Sequence, residues 1–338
     1  MPSVCYGHVA LQENCHTSTL TTMLMSAAMS TITLLPVPPA ARIDPAPRLS
    51  TLWAYILPAL DLIIHSSWDD TRINYRVSPI SMEYRMGVHI YCYNYLTAHS
   101  KENPSKMRGR DLYKEIDTFY ADIARELVLH IPDDHMAIIH YVLSTFDRYH
   151  AAAIAIQRLL HAINSHYVDF TPNEDKWWHG IGNSIARATK ETYPPQRRSQ
   201  KDMVAKELKR WGYKDGGSAE LLAQARACAE AASSPGRIIP LLSLAMRRFR
   251  TDFVEPILGV PMTRVNRDKD KPVLDADGPF APKDRLVHAI RELLKGDAGA
   301  KNLQLVAQLD AMLNTVGIRA HHPLRKKLRK LVQISDAS

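Results

Sequence analysis

Apolar residues recur at helical spacing through most of residues 51–168, and this periodicity restricts the architecture of the chain more than any other feature of its sequence. Four segments carry the pattern: TLWAYILPALDLII, MEYRMGVHIYCYNYLTA, GRDLYKEIDTFYADIARELVLHI and FDRYHAAAIAIQRLLHAINSHYV. Glycine is sparse, at 14 of 338 residues, and short alternating runs typical of strands do not recur, which argues against a sandwich or a barrel. The sequence therefore predicts an all-α fold.

Capping residues and prolines predict where these helices begin and bend. Ser50 or Thr51 is expected to cap the first helix, in which Pro58 predicts a kink near Tyr55. The others are predicted at about 78–99, at about 109–130, and from the acidic pair 133–134 to about 167.

The second helix carries large apolar residues on every side, and such a helix must be covered on every side. One face can pack on its own domain, which leaves another face for a partner. The alternative, that its tyrosines and methionines are all ordinary core residues, stays open at this point.

Short motifs at matched positions carry a resemblance to a known family. The second segment contains a YNY triplet, at Tyr93–Asn94–Tyr95, and the third contains a G-x-x-L-Y element, at Gly109, Leu112 and Tyr113. The last segment has an aromatic pair, Phe146 and Tyr149, and an N-x-H-Y-V ending, at Asn164, His166, Tyr167 and Val168. In this order, they resemble the first N-terminal repeat of the cullins, the scaffold subunits of modular ubiquitin ligases. The resemblance implies a helical bundle or α-solenoid built from repeats of four to five helices.

The second half of the chain resembles the same family less closely. LLSLAMRRFRTDFVEPIL, RLVHAIRELLKG and LQLVAQLDAMLNTVGI are similar to helices early in the second cullin repeat. The expected organisation is one good repeat and a diverged partial second repeat, in five regions: a disordered leader with a Pro-rich linker (1–50), the first repeat (51–168), an inserted or diverged polar segment with helices (169–240), the partial second repeat (241–331) and a tail (332–338). A truncated cullin-like protein is expected, without the domain that grips a RING-box subunit.

The resemblance also implies a partner and a docking surface. Adaptors of the Skp or BTB type dock on the second and fifth helices of the first cullin repeat. By position, the predicted docking residues are Met82, Arg85, Met86, His89 and Tyr93 on the second helix, and Met136, Ile139 and His140 on the fifth. The former lie three to four residues apart and so share one helix face. Arg85 and His89 stand where the family prefers aromatic residues.

The net charge of +8 is concentrated near the C-terminus, where residues 301–338 hold seven Lys/Arg against two Asp. The segment HHPLRKKLRKL, at 321–331, suits phosphate binding, but Leu324, Leu328 and Leu331 at helical spacing predict a solvated amphipathic helix equally well. Two alternatives to adaptor binding therefore remain: a degenerate helical interaction module, and a basic-tailed protein associated with nucleic acid.

Catalytic signatures are absent from the sequence. It contains none of the nucleotide-binding, nucleophile-elbow or H-E-x-x-H motifs, so no enzyme, cofactor or small-molecule substrate is predicted. Four scattered cysteines indicate a reducing compartment, cytoplasmic or nuclear, and the spacing of Cys5, His8, Cys15 and His16 fits no zinc module. Polar residues interrupt the apolar stretch 19–36, so neither a membrane span nor a signal sequence is expected there.

Overall fold

The computed structural model describes residues 35, 48–68, 80–97, 105–170, 197–214, 216–258, 284–295 and 300–335. All regular elements in these ranges are helical, so the all-α prediction is confirmed. Apart from residue 35, the expected leader and its linker as far as residue 47 lie outside the described residues, and so does the four-residue metal alternative near the N-terminus.

Twelve α-helices and two π-helical segments make up the described structure. They are α1 (Leu49–Trp68), α2 (Met82–Thr97), α3 (Ser105–Leu129), α4 (His135–Leu159), α5 (His161–Ile163), π1 (Asn164–Val168), α6 (Arg197–Arg210), α7 (Ala219–Ala231), α8 (Leu241–Arg248), π2 (Phe249–Val254), α9 (Glu255–Leu258), α10 (Arg285–Lys295), α11 (Ala300–Thr315) and α12 (Pro323–Ser335).

The helices from α1 to π1 form a bundle. Helix α1 packs along α4 and against α2, while α2 packs against α3, α5 and π1. The predicted apolar stripe of α1 faces the interior, since Leu52, Ile56 and Leu60 are all 0% exposed. Helix α4 begins where the acidic pair predicted, because the Asp134 carboxylate accepts a hydrogen bond from the Ala137 amide at 2.8 Å.

Two predicted helix starts are wrong by a few residues. Helix α1 begins at Leu49, before the expected cap at Ser50 or Thr51. Helix α2 begins at Met82 instead of about residue 78. The observed start is capped by Ser81, whose hydroxyl accepts a hydrogen bond from the Tyr84 amide at 3.2 Å.

Helix α8 and π2 pack directly on the first bundle. They contact α3, and α8 also contacts α4. Phe249 and Phe253 are 0% exposed, and the Phe249 ring centroid lies 5.0 Å from that of Tyr149 on α4. Val37–Ser338 accordingly forms a single compact unit, and the five expected regions of the sequence stay predictions.

A charged network joins these two sets of helices. The Arg248 guanidinium donates to both carboxylate oxygens of Asp117 on α3, with Nε 2.6 Å from Oδ1. Arg248 also pairs with Asp252 at 3.3 Å. These hydrogen bonds raise the pKa of Arg248 above its usual value. The neighbouring Arg247 is 2% exposed and donates to the Arg237 carbonyl at 2.9 Å, so the buried charges of this interface are paired or hydrogen-bonded.

The remaining helices extend this core. Helix α10 packs along α4, and Arg285 at its start donates to the Pro132 carbonyl at 2.6 Å. Helices α11 and α7 meet at Gly317, whose φ of +87° favours glycine. A Cβ at Gly317 would also lie 2.4 Å from the Ala232 nitrogen, so a side chain here would force the backbone to shift.

Among the described helices, α1 alone is long and apolar enough to cross a membrane, with a mean hydropathy of 1.3 over Leu49–Ser66. Length and composition of this kind are shared by core helices. The side of α1 that carries Leu52, Ile56 and Leu60 packs in the bundle interior, as the apolar side of a core helix does.

Candidate protein-docking surface

The outer side of α2 presents large apolar side chains to solvent. Met82 is 69% exposed, Met86 50%, Tyr93 43% and Ile90 36%. Arg85 and His89 on the same side are exposed as well. All five docking residues predicted on this helix therefore lie at the surface, and the interpretation of Met86 and Tyr93 as core residues is wrong. Met82, Arg85, Met86, His89, Ile90 and Tyr93 are called the α2 face below.

The inner side of α2 is held by aromatic contacts to α1. The Tyr84 hydroxyl donates a hydrogen bond to the Tyr55 carbonyl, and the two rings stack with centroids 4.7 Å apart. Tyr55 lies in the turn before Pro58, which has no amide hydrogen to donate. Burial raises the pKa of Tyr55 to about 12, so its hydroxyl stays protonated. These contacts fix α2 on the bundle and leave the α2 face outward.

The π-helical segment π1 borders the α2 face. His166 lies edge-on to Tyr93 with ring centroids 5.0 Å apart. The Asn164 side chain accepts a hydrogen bond from the Leu241 amide at 3.1 Å, and the buried Tyr167 ring lies against Gly109. The N-x-H-Y part of the last motif and the glycine of the G-x-x-L-Y motif thus meet at one place, next to the last residues of α2.

The three docking residues predicted on the fifth helix do not extend this surface. Ile139 is 0% exposed and belongs to the core, because α4 is covered by α1 and α10; its assignment to the docking surface is corrected here. Met136 and His140 are exposed but lie near the start of α4. Where α2 meets the segment from α4 to π1, it contacts mainly α5 and π1, at the other end, about 35 Å away at 1.5 Å per residue.

Two exposed features were missed by the sequence analysis. Ile90 extends the apolar surface of α2, and Phe170, 77% exposed, lies two residues after the end of π1. Ile90 could have been found by continuing the helical spacing from Met86. Nothing in the sequence marks His166 as the neighbour of Tyr93, because that contact depends on how π1 packs against α2.

The titratable groups of the described core are arranged for packing and pairing. Burial raises the pKa of Cys92 to about 12 and that of Cys228 to about 11, so both remain thiols and are poor nucleophiles. Burial also raises the pKa of Tyr149, whose hydroxyl donates to the Ala245 carbonyl at 3.2 Å. Within the described ranges, no group of three or more His, Cys, Asp or Glu residues could hold a metal ion.

The basic C-terminal segment forms the amphipathic helix α12. Leu324 and Leu328 are buried, and Arg325 is only 1% exposed. The Arg325 guanidinium donates to Asp310 at 2.7 Å, and Arg329 pairs with the same carboxylate at 3.1 Å. Part of the basic charge therefore stabilises α12 on α11. The exposed charge of this helix comes from Lys326, Lys327 and Lys330.

Comparison of the chain with protein families, with characterised proteins and with solved structures gives no significant match. The similarity to the cullins therefore depends on the motifs and the order of the helices in the sequence. The exposure of the α2 face is a property of the structure and does not depend on that similarity.

Proposed function

We propose that this chain is a non-catalytic, cullin-like scaffold whose α2 face binds a Skp-type or BTB-type substrate adaptor in ubiquitin-dependent protein degradation. The observation that carries the proposal is the exposure of Met82, Met86 and Tyr93, which follow one another at helical spacing on a helix held rigidly from behind. A contiguous apolar surface of this kind on a folded protein is typical of an interaction site.

The residue types of the α2 face favour protein binding. Methionine side chains are flexible and polarisable and adapt to a partner's groove, while tyrosine is enriched among residues that dominate binding energy. A helix that places one apolar side in a hydrophobic groove of its partner is a common recognition mode. The family resemblance assigns adaptor docking to this same helix, which is why an adaptor is proposed as the partner.

Binding should be measured with the full chain immobilised and exposed to a panel of purified Skp-type and BTB-type adaptors. Met86→Ala and Tyr93→Ala are each expected to weaken binding by about 1–3 kcal/mol, the range for interface anchors. Their melting temperatures should stay near that of the parent, because exposed side chains contribute little to folding. Leu221→Ala, on α7 and 51% exposed, is the matched control and should bind like the parent.

The proposal fails if no adaptor in the panel binds the parent chain. It also fails if an adaptor binds but Met86→Ala and Tyr93→Ala bind as tightly as Leu221→Ala does, because the contact would then lie elsewhere on the molecule.

A further inference from the structure

Charge is segregated across the α2 face. At about 100° per residue, Met82, Met86 and Tyr93 form the central line of this face. Arg85 and His89 fall on one flank of that line. Ile90 and Glu83, the only acidic residue of α2, fall on the other flank.

The basic flank is not used by the chain itself. Both Arg85 and His89 are exposed. Within the ranges that the structure describes, the Arg85 guanidinium and the His89 imidazole form no hydrogen bond, ion pair or ring contact. The helix is fixed by the tyrosines on its inner side and does not need these two residues. They are free to interact with a partner.

Docking on the central line would take water away from Arg85. Arg85 lies about one helical turn from Met82 and directly precedes Met86 in the sequence. A groove that covers the central line therefore borders Arg85 along its flank. A charge that loses water without gaining a partner is strongly unfavourable. A carboxylate can accept two parallel hydrogen bonds from a guanidinium, which satisfies both the charge and the planar donor geometry.

We infer that the partner of the α2 face presents an apolar groove with an acidic wall on the side of Arg85 and His89, and an apolar wall on the side of Ile90. This inference rests on the proposed adaptor-binding function and specifies the class of adaptor. The chain selects adaptors with carboxylates at that wall over adaptors with an entirely apolar groove, because only the former pair with Arg85.

The test uses whichever adaptor of the panel binds the parent most tightly. Arg85→Glu should lower its affinity at least tenfold, about the effect of turning one interfacial attraction into repulsion. Glu83→Lys is the matched control, since it also changes the charge of the same helix by two but lies on the other flank. The affinity of this variant for the adaptor should stay within about threefold of the parent's. Affinity of the parent should fall as salt is raised, and Arg85→Ala should reduce this salt dependence. Circular dichroism checks that each variant is folded.

The outcomes separate the two proposals. If an adaptor binds, and Arg85→Glu has no effect or no more than Glu83→Lys, the acidic wall is refuted while adaptor binding stands. If no adaptor binds the parent, the proposed function is refuted and the acidic wall with it. A selective loss in Arg85→Glu supports both.

Discussion

Replacing Gly109 with alanine tests the packing that supports the docking surface. In a regular helix, this change stabilises by about 1 kcal/mol, because glycine is the more flexible residue. Gly109 lies in α3, so helix propensity alone predicts a more stable protein. The structure predicts the opposite sign, since a Cβ at this position would lie 2.1 Å from Cδ2 of Tyr167 and 2.7 Å from Cγ.

The size of the effect follows from these distances. Carbon atoms pack at about 3.5–4.0 Å, so the Tyr167 ring would have to move by roughly 1.5 Å. Tyr167 is 6% exposed, and its ring also contacts Tyr113, with centroids 5.8 Å apart. Extra methyl groups in a packed interior cost about 1–3 kcal/mol. A displacement of this size belongs to the upper part of that range, and the helix-propensity gain of about 1 kcal/mol leaves a net loss of about 1–2 kcal/mol. Gly109→Ala should therefore lower the melting temperature by roughly 2–5 °C.

Thermal unfolding of four proteins measures this effect: the parent, Gly109→Ala, Tyr167→Ala and the double variant. Tyr167→Ala creates a cavity and should destabilise by itself. Adding Gly109→Ala to it should cause no further loss, because the ring that the methyl group meets is gone. An unchanged or higher melting temperature in the single variant Gly109→Ala would refute the close packing of Tyr167 on α3.

Two further predictions concern the core. Asp117→Asn should lower the free energy of unfolding by about 2–3 kcal/mol, because it weakens charged hydrogen bonds to Arg248 at a partly buried site. Asp122→Asn is the control: the Asp122 side chain is 64% exposed, so this change should alter stability by less than about 0.5 kcal/mol in urea unfolding. Equal effects of the two variants would contradict the role of the Asp117–Arg248 pair. Burial lowers the pKa of His150 below its usual 6.5. Between the folded and the unfolded pKa the unfolded chain binds more protons, so the free energy of unfolding should fall as the pH drops below about 6.5. His150→Gln should reduce this pH dependence of stability, and an unchanged dependence would contradict the prediction.

Helical periodicity predicted the fold class and the approximate course of the first four helices, because spacing of apolar residues is a local property. Local capping chemistry was equally informative at Asp134, whose carboxylate bonds the Ala137 amide. It was misleading for the start of α2, where the Ser81 hydroxyl, a few residues beyond the predicted position, accepts from Tyr84. Alternative caps within one turn cannot be ranked by sequence, since each satisfies the same free amides.

The side of a helix that faces outward depends on distant segments. Ile139 and His140 are adjacent in sequence, yet Ile139 is completely buried while His140 is exposed. Helix α10, which packs along α4, begins about 145 residues later in the chain, at Arg285. The family resemblance assigned both residues to one docking surface by position, and nothing local to α4 indicates which side α10 will cover.

The two π-helical segments mark the limit of periodic reasoning. A π turn inserts residues into the helical repeat, so side chains beyond it no longer follow the stripe that precedes it. In π1 this change coincides with the packing of Tyr167 on Gly109 and of His166 beside Tyr93. The regular helix α2 could be assigned a surface from spacing, and its five predicted residues are all exposed. The resemblance placed the docking residues of the last helix near the start of α4, whereas the part of this helix that borders α2 is its irregular C-terminal end, where periodic spacing no longer holds.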